Sequence, residues 1–110
     1  MTYEQAIQGK RTVWFTLTKQ WWDMIHEGIK KEEYRAMTEY WTRRLFKPYD
    51  FDVAVFRNGY GSNDPTMVVE VVKQPTIGEG RTEWGAEEGK KYFVTTLGRV
   101  LWSSEMKVAE

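Results

Sequence analysis

The chain has no cysteine, one histidine, three prolines and no net charge, with sixteen basic and sixteen acidic residues. Each shortage closes a class of explanation. Without cysteine there are no disulfides and no thiolate metal sites, and a lone His26 argues against zinc. No apolar run approaches the ~20 residues that span a bilayer, and the N-terminus lacks the basic-then-apolar order of a signal peptide, so the expected setting is cytoplasmic and away from membranes. A protein that grips duplex DNA through many phosphates carries a basic excess, and this one does not. No phosphate-cradling loop, nucleophile elbow or carboxylate metal cluster is visible, and no cofactor is implied. At 110 residues, with 41% hydrophobic content, the chain suits one domain with one core.

Aromatic side chains are abundant instead: six Trp, six Tyr and five Phe make up 15% of the sequence. Some must build the core, because a short domain depends on large buried side chains. The remainder are candidates to stack on a planar ligand. Charge is balanced overall but not locally. Glu27 to Lys47 carries six basic residues against four acidic ones, and Glu79 to Lys90 carries four acidic against two basic.

The segment Gly28-Ile29-Lys30-Lys31-Glu32-Glu33-Tyr34-Arg35 concentrates the chemistry. If Glu33 to Met37 is a strand, alternation places Glu33 and Arg35 on one face, with Lys30 entering from the preceding turn. Three charged groups converging on one place are costly to desolvate unless they pair or meet a polar ligand. Lys30 has two readings: a base whose pKa is lowered by apolar surroundings, or a charged group that binds phosphate or a carbonyl oxygen. Glu33 can accept protons from a nucleobase or polarise a water. Arg35 either contacts phosphate in bidentate fashion or simply holds Glu33 in place.

Along the chain, residues 1 to 11 read as a loose arm or a short helix. Val13 to Thr18 alternates as a strand, and Thr18 offers a cap for a helix bearing Trp22, Ile25 and Ile29, which Gly28 terminates. Thr38 caps a second helix with Trp41 and Leu45 one turn apart, where the spacing makes Trp41 a core residue rather than a ligand contact. Strands are expected at Asp52 to Arg57, Thr66 to Lys73 and Lys91 to Trp102, punctuated by Gly and Pro, including Pro75. The order predicts an α+β fold: a small β-barrel with two or three short helices packed at one side.

Glu70 interrupts a valine-rich strand; it either points into the barrel mouth or sits on a solvated outer face beside Lys73. Arg57 and Tyr60 flank an Asn-Gly turn in a loop longer than a tight hairpin needs, so they are candidates to reach over a cleft. Trp84, flanked by Gly85 in a polar stretch, is the better stacking residue. His26, four positions after Trp22, reads as solvent-facing or packed on an aromatic.

The G-x-K-x-x-E-x-R pattern of Gly28, Lys30, Glu33 and Arg35, with a strand and an apolar helix before it, resembles the ASCH domain, a branch of the PUA-like β-barrel superfamily. Glu39-Tyr40-Trp41, Arg44-Leu45, Phe56-Arg57-Asn58-Gly59-Tyr60, Glu83-Trp84-Gly85 and Thr96-Leu97-Gly98 are similar to segments of small bacterial and phage members. The likeness spans about residues 13 to 102 of a single domain. It implies a cleft between barrel and helices that binds RNA, a nucleotide or a modified base, with Lys30, Glu33, Arg35, Arg57, Tyr60 and Trp84 as contacts. It also raises an alternative, a small hydrolase of a nucleoside amide or an RNA phosphodiester with Lys30 and Glu33 or Glu70 as acid–base groups. The amidohydrolase branch uses a lysine, a threonine and a glutamate, and the threonine position is Glu33 here, so that activity does not carry over directly.

Overall fold

The computed structural model describes residues 1–105. Nine elements run in the order α1 (Tyr3–Ile7), β1 (Thr12–Thr16), α2 (Lys19–His26), β2 (Glu32–Arg35), α3 (Glu39–Leu45), β3 (Val53–Arg57), β4 (Thr66–Glu79), a 3-10 turn (Thr82–Trp84) and β5 (Lys91–Ser103). The five strands form one curled mixed sheet in the order β1-β3-β4-β5-β2, a half-barrel with β1 and β2 as its two edges. Only the β1–β3 pair is parallel.

Strand alternation sorts the apolar residues onto two faces. On one face Phe15, Ala54, Phe56, Met67, Val69, Phe93 and Leu97 meet Trp22 and Ile25 of α2 and Leu45 of α3. Burying each large side chain contributes roughly 1.5–3 kcal/mol, and the buried Trp22 Nε1–H also finds a partner, donating to the Phe56 carbonyl at 3.0 Å. On the other face Val53, Val55 and Val68 are covered by Ala6, Tyr3 and Ile7 of α1. Two helices, α2 and α3, thus pack on one side of the sheet, as expected, and α1 lies across the sheet from them. Thr2 and Gln5 close a reciprocal capping box on α1, which is why so short a segment holds helical shape.

β4 runs past Pro75 to Glu79, beyond the expected end at Lys73. Proline cannot donate to a ladder and is tolerated in a strand at irregularities. The β4–β5 register shifts between Lys73 and Thr76, on either side of Pro75. β2 ends two residues earlier than expected: Ala36 and Met37 are exposed, and the Thr38 N–H turns back to the Ala36 carbonyl at 2.8 Å. No helix among the described residues is long and apolar enough to cross a membrane.

Candidate functional site

Gly28 does two things at the end of α2. Its φ of +79° is in the left-handed region that favours glycine, and it lets the chain reverse so that the N–H groups of Ile29 and Lys30 both donate to the Met24 carbonyl, at 2.9 and 3.0 Å. Ile29, expected on the apolar face of the helix, is turned out and is 53% exposed. Lys30 is turned in.

There Lys30 and Glu33 are buried, at 2% and 4% exposure. Lys30 Nζ is 3.2 Å from Glu33 Oε1 and donates to the Glu32 carbonyl. Glu33 Oε2 accepts from Arg35 Nε at 2.7 Å and lies 2.5 Å from Arg35 Nη2. Both carboxylate oxygens are thus engaged, each by one cation. Two positive groups around one negative group leave the cluster with one net positive charge. Burial lowers the pKa of Lys30 below its ordinary value, and the Glu33 carboxylate opposes that shift only in part.

Arg35 does more than pair with Glu33. Its Nη2 donates to the carbonyl of Thr16 at 3.0 Å, and its guanidinium carbon lies 5.0 Å from the Phe15 ring centroid and 4.8 Å from that of Trp41. β1 and β2 are the edges of the half-barrel, so Arg35 ties one edge to the other by a side chain where no ladder closes the sheet. Trp41, expected in the core, stacks on Phe15 at 5.5 Å and covers this contact.

At that seam an open pocket of about 280 Å³ is walled by Thr16, Thr18, Trp21, Tyr34, Trp84 and Tyr92, with Lys30, Glu33 and Arg35 among its lining residues. Lys30 Nζ is 4.7 Å from the Tyr34 ring centroid and 6.0 Å from that of Trp21. The Tyr34 hydroxyl donates to Glu32 Oε1 at 2.7 Å and accepts from the Arg81 N–H at 3.0 Å, and burial raises its pKa. These bonds pin the β2 edge to the loop that carries Trp84. Thr18 occupies the N-cap position of α2 but makes no side-chain cap bond; Thr38 does cap α3, through the Trp41 N–H at 3.2 Å.

Gly85 closes one wall. Its φ is +99°, and a Cβ there would come within 3.0 Å of the Trp21 ring. Gly85→Ala is expected to cost about 1–3 kcal/mol of stability, by backbone strain and ring displacement together. Chemical denaturation followed by tryptophan fluorescence checks this, and an unchanged midpoint would contradict it.

Of the residues singled out in the sequence, Lys30, Glu33, Arg35 and Trp84 meet at this pocket. Glu70 does not. Val69 and Val71 pack toward the α2–α3 face, so alternation turns Glu70 to the other, where Oε1 accepts from the Arg99 N–H at 3.1 Å. That is the outer-face reading, with Arg99 in place of Lys73; the Arg99 N–H holds the carboxylate below its ordinary pKa. Pairing Glu70 with Lys30 as an acid–base couple is thereby corrected. Arg57 lies elsewhere too: its Nε donates to Thr66 Oγ1 at 3.0 Å beside a separate hollow lined by Tyr3, Asp64 and Trp102. Tyr60 is 91% exposed and lines neither pocket. His26 stacks on Trp22, with ring centroids 4.8 Å apart.

Trp21, Thr16, Tyr34 and Tyr92 are the wall residues that sequence reasoning did not select. Trp21 packs against the edge of the core cluster that buries Trp22, and its ring reaches the pocket from there. Among the described residues no group of three or more His, Asp or Glu side chains is placed to hold a metal ion. Compared with protein-family models, curated proteins and solved structures, the chain finds no match in any of the three.

Proposed function

We propose that the pocket binds a nucleotide, free or at the end of a short RNA, and that the chain is an ASCH-type module of PUA-like fold. The observation that carries the reading is the buried Lys30–Glu33–Arg35 cluster, net positive, in a pocket walled by Trp21, Tyr34, Trp84 and Tyr92. Aromatic walls suit a planar base, and a fixed cation suits a phosphate or carbonyl oxygen. The volume is at the small end for ligand sites, which run from roughly 300 Å³ upward, so one base with its sugar is the natural scale. An ammonium has three donors. Glu32 and Glu33 engage two of those of Lys30, which leaves one for a ligand. Glu33 serves first as counter-ion to both cations.

The test is quenching of tryptophan fluorescence by a panel of nucleosides and 5′-monophosphates. Saturable quenching is expected, with Lys30→Ala weakening monophosphate binding by tenfold or more; no saturation by any member of the panel would end the proposal. The pH dependence has a definite sign. Anion binding favours the protonated lysine, so affinity declines as pH rises through the lowered Lys30 value. The decline therefore begins earlier than an ordinary lysine, near 10.5, would give. In Lys30→Met the alkaline decline is expected to disappear.

A second reading, hydrolysis of a nucleoside amide, has one observation in its favour: burial increases the neutral fraction of Lys30, the form that acts as a base. Mass spectrometry of modified nucleosides incubated with wild type and Lys30→Ala decides it. A product formed only by the wild type is the expected signature of that activity, and its absence across the panel counts against it.

A further inference from the structure

A second groove lies along the same edge strand, β1. The C-terminal end of β1, at Thr16, walls the motif pocket, while its first half, Thr12 to Trp14, walls a separate groove of about 250 Å³ whose other lining includes Arg44, Lys47 and Tyr49. Trp14 lies on the opposite side of the strand from Val13 and Phe15 and is 57% exposed. Tyr49 is braced edge-on by Phe51, with centroids 5.6 Å apart at 81°. The Arg44 guanidinium carbon lies 3.4 Å from the Tyr40 ring centroid, which fixes its position at the end of α3. The groove lining contains two cations and no carboxylate. Glu39 of the same helix is held by Arg43 at 2.5 Å, and Asp52 accepts from the Arg11 N–H at 2.9 Å.

An exposed indole beside two cations, one of them held in place, is the composition of a stacking site for single-stranded nucleic acid. The Cα atoms of Trp14 and Thr16 are about 7 Å apart along an extended strand, so one short strand can touch both concavities. The geometry points to this groove as the seat of the nucleotide adjacent to the one in the motif pocket, with its base on Trp14 and its phosphate held by Arg44 and Lys47. The inference rests on the nucleotide reading of the motif pocket.

The experiment compares uridine and adenosine 5′-monophosphates with the corresponding tetraribonucleotides, on wild type, Trp14→Ala and an Arg44→Gln/Lys47→Gln double variant. Monophosphate affinity serves as the folding control. The wild type is expected to hold a tetranucleotide about tenfold tighter than a monophosphate, and Trp14→Ala to erase that gain while leaving monophosphate binding unchanged. The double variant should flatten the log–log salt dependence of tetranucleotide binding by roughly one unit. Tetranucleotides held no tighter than monophosphates, or a gain indifferent to Trp14→Ala, would overturn the groove assignment and leave the motif pocket standing. Failure of both monophosphate and tetranucleotide to bind would overturn both. A poly-glutamate peptide bound with the same dependence on Trp14 would mark the groove as a protein-docking site and overturn the nucleic-acid assignment.

Discussion

Glu33→Gln is expected to destabilise the fold by about 3–5 kcal/mol at neutral pH, the usual cost of leaving buried charge without its partner. The substitution preserves size and removes the carboxylate that pairs with both Lys30 and Arg35. Part of the loss should return on the alkaline side. Without Glu33 the folded-state pKa of Lys30 falls further below its unfolded value of about 10.4. Between those two values the unfolded chain holds the proton and the folded chain does not, so stability rises with pH. Urea titrations of wild type and variant from pH 7 to 10 check both statements. A difference below about 1 kcal/mol at pH 7 would mean that solvent, not Glu33, compensates the two cations.

Arg35→Lys is expected to cost about 3 kcal/mol although it conserves charge. An ammonium cannot reproduce the two nitrogen contacts to Glu33 Oε2, the bond to the Thr16 carbonyl and the flat stack beneath Trp41 together. The loss should be localised. Amide hydrogen exchange is expected to accelerate in β1 and β2, the two edges that Arg35 joins, before it changes in the β4–β5 hairpin. Uniform acceleration across the sheet would instead show that the seam has no separate stability.

The core of the site is legible in the sequence because it is local. Gly28, Lys30, Glu33 and Arg35 fall within eight residues, and a glycine stop followed by alternation is enough to converge them. Trp84 is legible through the glycine that follows it. The remaining walls are not, because Thr16, Tyr34 and Tyr92 reach the pocket only when distant elements close on one another. Tyr34 is the instructive case. Alternation sends it away from Glu33, yet β2 is an edge, and its ring still approaches Lys30.

Glu70 and Arg57 show the complementary limit. Periodicity tells which residues share a face of a strand but not which face is covered by which helix. Glu70 shares its face with Val68, and the helix over that face is α1, whose buried Ala6 and flanking Tyr3 and Ile7 look unremarkable in a polar stretch. With residues 1 to 11 read as a loose arm or a short helix of no assigned face, the face of Glu70 could be assigned to either side. The length of β4 was hidden for a similar reason: Pro75 signals a break, and only the register shift opposite it allows the strand to continue.

The strand order has a kinetic consequence. Among the described strands β1 pairs only with β3, and β2 only with β5, the last of them in chain order. During synthesis, then, the lysine, glutamate and arginine emerge early and must wait, hydrated, until more than half of the chain has followed. Loop closure over such separations is slow and precedes any compensating contact. The nascent chain therefore desolvates this cluster only once β5 has been made and zips onto β2.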